Sequence, residues 1–242
     1  MRILVISDIH SNLTALESVI SANAVVDAVW CLGDLVGYGP DPNECVERVK
    51  RLPHLTCLLG NHDAAVADSI PLEKFNPDAA AAIHWTKSVL TADNLAFLKS
   101  LPEKESMGAF TLVHGSLQNP VWEYVLDAYS ASQSFSQLET QVALVGHTHL
   151  PLMFAEDPAS KQVKRGLVRA GAQLKLSARM ILNPGSVGQP RDHDPRASFA
   201  ILDPDKMTWR IKRVEYDIPS VQERIRKAGL PEKHALRLAE GW

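Results

Sequence analysis

Short apolar runs that close on polar residues recur along the first two thirds of the chain. Residues 3–6 are continuously apolar and predict a strand buried on both faces, followed by Asp8-Ile9-His10. A helix over about residues 12–23 comes next, capped by Ser11 or Asn12. Residues 25–32 predict a second strand ending in Gly33-Asp34, and Pro40-Asp41-Pro42 opens a helix over about residues 43–52. The third strand, 55–59, runs into Gly60-Asn61-His62-Asp63. Residues 64–102 are helical by composition, with Ala79 to Ile83 leading into Trp85 and a second helix over about 93–100. This segment reads as an insertion packed beside the site, within a single domain spanning 1–242. Strands 110–113 and 142–145 end in His114-Gly115-Ser116 and Gly146-His147-Thr148-His149. Strands over 152–156, 163–170, 178–182, 198–202 and 207–216 then predict a second sheet, more antiparallel than the first. Residues 218–242 read as two amphipathic helices, to which the sequence assigns no chemistry.

The polar residues that close these runs are of metal-ligating types, and the carboxyl ends of strands are where open α/β sheets place their chemistry. In near-extended backbone, residues two apart point the same way, so Asp8 and His10 can converge on one ion, with His147 and His149 repeating the spacing. Asp34, between glycines that permit close backbone approach, can bridge two cations. At the glycine turn Asn61 offers a carboxamide oxygen, and His62, on the other side of the bend, reads as an acid or base. Three β-α repeats with such endings are much harder to explain by chance than one. His54 and His84 lack partner spacing and read as structural or exposed.

Composition narrows the field. The 242 residues carry a formal charge of −3, with 45% hydrophobic and 22% charged residues, an ordinary globular profile without general attraction for nucleic acid. Cys31, Cys45 and Cys57 are odd in number and show no C-x-x-C spacing, which suggests a reducing compartment. The amino-terminal apolar run is too short for a signal peptide, and no run approaches the ~18 apolar residues of a membrane helix. A soluble cytoplasmic protein is expected. Lys161, Lys164, Arg165, Arg169 and Lys175 read as a solvated strand face.

In order, D-x-H, G-D, G-N-H-D, H and G-H-x-H resemble the motifs of the calcineurin-like metallophosphoesterase superfamily. The later Asn183-Pro184-Gly185-Ser186 resembles its compact bacterial and archaeal branch, related to the YfcE-type phosphodiesterases. The resemblance covers nearly the whole chain. It implies an α/β fold of four layers, an α/β/β/α sandwich of two facing mixed sheets flanked by helices. It also implies two divalent ions: Asp8, His10 and His149 on the first, Asn61, His114 and His147 on the second, Asp34 between them. A hydroxide bridging the two ions would attack phosphorus, and His62 would protonate the departing oxygen. Asp63 would orient the loop. Imidazole and carboxylate ligands without thiolate suit Mn²⁺ first, with Fe or Zn²⁺ as alternatives.

The expected substrate is a small phosphodiester or phosphomonoester, with dinucleoside polyphosphates and phosphoproteins as competing classes. Protein phosphatases of the superfamily carry G-D-x-x-D-R-G, whereas this chain has Gly33-Asp34-Leu35-Val36-Gly37-Tyr38-Gly39, which argues against that class. Arg191 is a candidate for holding substrate phosphate, and Trp122 and Tyr124 are candidates for a pocket wall that favours a nucleotide base. A non-catalytic protein-binding scaffold of the same fold is the remaining alternative. It is disfavoured because His62 and all seven ligand positions are present. Oligomeric state is not legible from the sequence.

Overall fold

A computed structural model describes all 242 residues. The chain runs β1 (Ile3–Ile6), α1 (Leu13–Ser21), β2 (Ala28–Cys31), α2 (Pro42–Lys50), β3 (Leu55–Cys57) and α3 (Asn61–Val66), then a single 3₁₀ turn at Leu72–Lys74. It continues through α4 (Pro77–Val89), α5 (Ala92–Ser100), β4 (Lys104–Met107), β5 (Phe110–Val113), α6 (Ala128–Ser136) and β6 (Val142–Leu144). β7 (Leu152–Glu156), β8 (Val163–Leu167), β9 (Gln173–Lys175), β10 (Met180–Leu182), β11 (Ala197–Asp203) and β12 (Thr208–Val214) lead to α7 (Ile218–Lys227) and α8 (Glu232–Glu240).

Two six-stranded sheets face each other, in the orders β3-β2-β1-β11-β12-β9 and β4-β5-β6-β10-β7-β8. The alternation along β1 shows why it is apolar on both sides. Ile3 and Val5 enter the layer between the sheets with Trp30, Trp209, Phe110 and Leu144. Leu4 and Ile6 face α1 and α2, whose Leu16, Val19, Cys45 and Val49 fill the outer layer. On the far side Ala131 and Phe135 of α6 cover Val113, Ala143 and Ile181 of the second sheet. The α/β/β/α layering expected from the resemblance is therefore present.

The sheet composition departs from the sequence expectation. The late strands do not form a separate, more antiparallel sheet: β9, β11 and β12 extend the first sheet from β1, while β7, β8 and β10 extend the second from β6. β1–β2 and β2–β3 are parallel, as are β5–β6 and β6–β10, and every other pairing is antiparallel. Each sheet thus has two parallel and three antiparallel pairings. Apolar periodicity marks a strand's faces but not its neighbours, which is why the division was not legible. The run 163–170 also stops at Leu167, and β4, α6 and β9 form where the apolar pattern predicts no element.

α4 and α5 pack beside the first sheet through Ile83 and Leu98. α7 and α8 close over α4, with Val221, Ile225, Ala235 and Leu238 against Ala79, Ala82 and Tyr38. No helix is long and apolar enough to cross a membrane. Cys31, Cys45 and Cys57 are buried free thiols, His54 and His84 are exposed, and so are the five basic residues of the 161–175 stretch.

Candidate metal centre

The ends of β1, β2, β5 and β6 and the start of α3 meet at one rim of the paired sheets. They bring together Asp8, His10, Asp34, Asn61, His62, His114, His147 and His149, each at most 4% exposed. The backbone achieves this differently from the expectation of extended alternation. Asp8, His10, Asp34, His147 and His149 all have positive φ, between 48° and 65°. For residues with a Cβ this left-handed conformation costs about 1–2 kcal/mol each, and such strain concentrates at functional sites. Left-handed kinks two residues apart, at Asp8 and His10 and again at His147 and His149, rather than a strand's pleat, turn the paired side chains inward.

A network of loop contacts holds the kinks. Asp8 N–H donates to Gly33 O and His10 N–H to Asp34 O, both at 3.0 Å, binding the first loop to the second. From the far end of the chain, Ser186 Oγ donates to Asp8 O at 2.8 Å, and Asn183 Nδ2 donates to Gly146 O at 2.6 Å. Asn61 and His62 lie in the first turn of α3 rather than in an irregular turn. Gly60 precedes that helix, and Asp63 returns Oδ2 to Gly60 N–H at 3.1 Å while Oδ1 accepts Leu35 and Val36 N–H at 2.9 and 3.1 Å. Asp63 thereby fixes the Asp34 loop against α3. Gly60 has to be glycine here, since a Cβ would stand 2.1 Å from Asp34 Oδ1.

The ligand-type atoms gather closely. Asp8 Oδ1 is 3.3 Å from His149 Nε2 and 3.9 Å from His10 Nε2, and those two nitrogens are 3.1 Å apart. Asp34 Oδ2 lies 3.5 Å from His10 Nε2 and 3.4 Å from His114 Nε2, and His114 Nε2 is 3.1 Å from Asn61 Oδ1. The other ring nitrogens pair with carbonyls: His10 Nδ1 with Val36 O at 3.1 Å, His114 Nδ1 with Leu32 O at 2.8 Å, His149 Nδ1 with Gln189 O at 2.6 Å. Donation there orients each ring so that Nε2 faces the cluster. His147 is reversed. Its Nε2 pairs with Trp122 O at 2.9 Å, leaving Nδ1 for the cluster it shares with Asp34 and His114. His62 also comes within 4.8 Å of the His10 and Asp34 ligand atoms, and its Nδ1 is buried without a partner.

Burial pushes His10 and His149 well below the usual imidazole range, His147 down to about 3 and His62 down to about 4. These rings are neutral at pH 7, the form that ligates a metal. Burial also pushes Asp8 up to about 7. At Asp34 burial works upward too, but His114 and His62 outweigh it and hold the carboxyl well below its ordinary value. His114 answers in kind: burial would lower it, yet Asp34 beside it raises it to about 9. Asp8 Oδ1 and Asp34 Oδ2 remain buried with no hydrogen-bond donor. Buried carboxylate oxygens facing imidazole nitrogens, with no thiolate among them, fit hard or borderline divalent cations.

Above the cluster opens a cleft of about 150 Å³. Asp34, Asn61, His62, His147 and His149 form its floor, and Tyr38, Lys74, Phe75, Trp122, Tyr124 and Arg191 its walls. Tyr124 stacks on His147, centroids 3.8 Å apart and planes 9° from parallel. Trp122 meets Phe75 edge-on at 5.0 Å. Arg191 sits over Tyr38 at 5.9 Å with its Nε buried and unpartnered. The expected Tyr124 and Arg191 therefore share one cleft with the ligand cluster. Sequence reading missed Lys74 and Phe75, which follow no period, and the supporting roles of Asn183, Ser186 and Gln189, whose polar loop was visible without its partners.

A match to the calcineurin-like phosphoesterase superfamily domain covers residues 1–207. The chain belongs to this superfamily. It is accordingly a phosphoesterase, a hydrolase acting on ester bonds. The metallophosphoesterase from Sphaerobacter thermophilus is 48% identical and superposes with a TM-score of 0.92, covering 100% of this chain and 99% of that one. An uncharacterized protein of Methanocaldococcus jannaschii is 40% identical over 246 residues, 99% of this chain and 98% of its own length. The phosphodiesterase YfcE of Escherichia coli is 27% identical over 219 residues, 86% of this chain and 90% of its own length.

Proposed function

We propose that the chain is a single-domain, binuclear-metal phosphoesterase that hydrolyses a phosphodiester or phosphomonoester. The observation that carries the reading is Asp34 Oδ2, donorless and 3.5 and 3.4 Å from the facing nitrogens of His10 and His114. A carboxylate oxygen so placed can be shared between two cations. Asp8, His10 and His149 would hold one ion and Asn61, His114 and His147 the other, with Mn²⁺ the first choice of metal. Bound ions there would supply an activated water and positive charge for the phosphoryl oxygens.

The chain's own residues do the rest. Arg191 brings to the cleft a guanidinium paired with no carboxylate, and orients the negatively charged phosphoester through the N–H groups left beside its bond to Gln189. Trp122, Phe75 and Tyr124 give one wall an aromatic surface for the organic part of the ester. His62 is neutral in the free site. An anionic ester beside it opposes the effect of burial and raises its proton affinity. It can then carry a proton to the departing oxygen, a role worth about 10²- to 10⁴-fold.

Side-by-side turnover of bis-p-nitrophenyl phosphate, p-nitrophenyl phosphate and diadenosine tetraphosphate by the Mn²⁺-supplemented protein tests this reading. Dominant turnover of either nitrophenyl ester supports it and says which ester class is preferred, and dominant hydrolysis of the tetraphosphate would move the assignment to dinucleoside polyphosphates. Metal uptake with no turnover of any of the three would favour the scaffold.

A further inference from the structure

The last helix reaches the loop that carries Arg191, although it lies outside the 1–207 superfamily match. Arg237 of α8 donates through Nη1 to Gln189 Oε1 at 3.1 Å, and Arg191 donates through Nη2 to the same oxygen at 2.9 Å. Gln189 is 2% exposed and is itself built into the site. Its carbonyl pairs with His149 Nδ1 at 2.6 Å, and its N–H donates to Ser186 Oγ at 2.8 Å. The end of α8 is pinned to the same loop by His193 N–H donating to Gly241 O at 2.8 Å.

Two guanidiniums on one neutral amide oxygen form an unusual arrangement. Neither is paired with a carboxylate, and the Nε of each is buried without a partner. An amide oxygen has two lone pairs, so both are occupied and the Gln189 side chain is anchored from both sides. Like charge on the two cations directs the free donors of Arg191 away from α8, toward the cleft it lines.

We propose that Arg237 is a positioning residue for Arg191. By sharing the Gln189 oxygen it anchors that amide, and by its charge it keeps the Arg191 guanidinium turned toward the phosphoester. The inference rests on the reading above that Arg191 contacts substrate. Arg237 itself touches no reacting atom, so its loss acts on substrate binding through Arg191 alone.

The test is a double-variant cycle in Mn²⁺-loaded protein. KM and kcat for bis-p-nitrophenyl phosphate are read together with the Kd of inorganic phosphate by calorimetry. Arg191→Gln should raise KM and Kd on the order of 10-fold, the loss of a charge-assisted hydrogen bond. Arg237→Gln should raise both by roughly 3-fold, with a smaller change in kcat, because it loosens the contact without deleting it. Arg237→Lys, which keeps charge and a donor, should stay within about twofold of the parent. Gln189→Met, which removes the shared oxygen, should reproduce the Arg237→Gln effect. In the Arg191→Gln background, Arg237→Gln should add nothing. If its effect persists there, or if Arg237→Gln leaves KM and Kd unchanged, the positioning role is overturned while Arg191 keeps its place. If Arg191→Gln changes neither quantity, the substrate role of Arg191 falls and the inference with it.

Discussion

Asp34 accepts the backbone N–H of His62 through Oδ1 at 2.8 Å, while its Oδ2 faces His10 and His114 without a donor. One carboxylate thus positions the proposed acid's backbone and offers its free oxygen to the ligand cluster. Asp34→Asn should lose metal and activity together, because an NH₂ directed at imidazole nitrogens cannot ligate. Elemental analysis should find the metal content collapsed, and turnover should fall on the order of 10³-fold, the several kcal/mol such ions contribute. Full metal content in this variant would remove Asp34 from its shared position.

His62→Ala should separate the two roles. Both ions should remain, and kcat should fall about 10²- to 10⁴-fold. A variant stripped of metal would make His62 a ligand, as its proximity to His10 and Asp34 permits.

Gly37 stands behind the His62 ring at φ +90°, where a Cβ would lie 2.5 Å from His62 Nδ1. Gly37→Ala should therefore displace the ring and slow turnover with metal content intact, and cost about 1–2 kcal/mol of stability for its left-handed backbone. Denaturant unfolding and steady-state kinetics on one preparation check both effects.

Metal uptake should release protons. His114, raised to about 9 by Asp34, is protonated at pH 7.5 in the metal-free protein, and Asp8, near 7, is partly so. A cation has to displace what these ligands hold, so affinity should climb with pH toward about 9 and level off above it. Calorimetry in buffers of different ionisation enthalpy should show about one proton more released at pH 7.5 than at pH 10, where His114 is already neutral and only the activated water gives one up. No proton release at pH 7.5 would contradict the charge state assigned to this pair.

Much of the centre was legible because each ligand closes an apolar run, and apolar runs are what a sequence displays most clearly. Asp8, Asp34, Asn61, His114 and the His147–His149 pair all surfaced that way. What stayed hidden depends on partners distant in the chain. The left-handed kinks at Asp8 and His149 are fixed by loops such as the one donating Ser186 Oγ to Asp8 O, which no local pattern announces. α6 was hidden by its polar composition, with Ala131, Ser134 and Phe135 as its buried residues. β4 was hidden because its Lys104, Met107 and neighbours are at or near the surface on a sheet edge. The tail read only as amphipathic, yet α8 delivers Arg237 to Gln189 across 48 residues.

The central claim is that two ions, one at Asp8, His10 and His149 and the other at Asn61, His114 and His147, make the site hydrolytic. The most direct measurement is Mn²⁺ titration of chelator-treated protein, following bound metal and hydrolysis of bis-p-nitrophenyl phosphate in the same samples. The account predicts no turnover without metal and activity that rises with occupancy to about two ions per chain. Turnover that survives chelation, or a site that fills with two ions and hydrolyses none of the three phosphoesters, would contradict it.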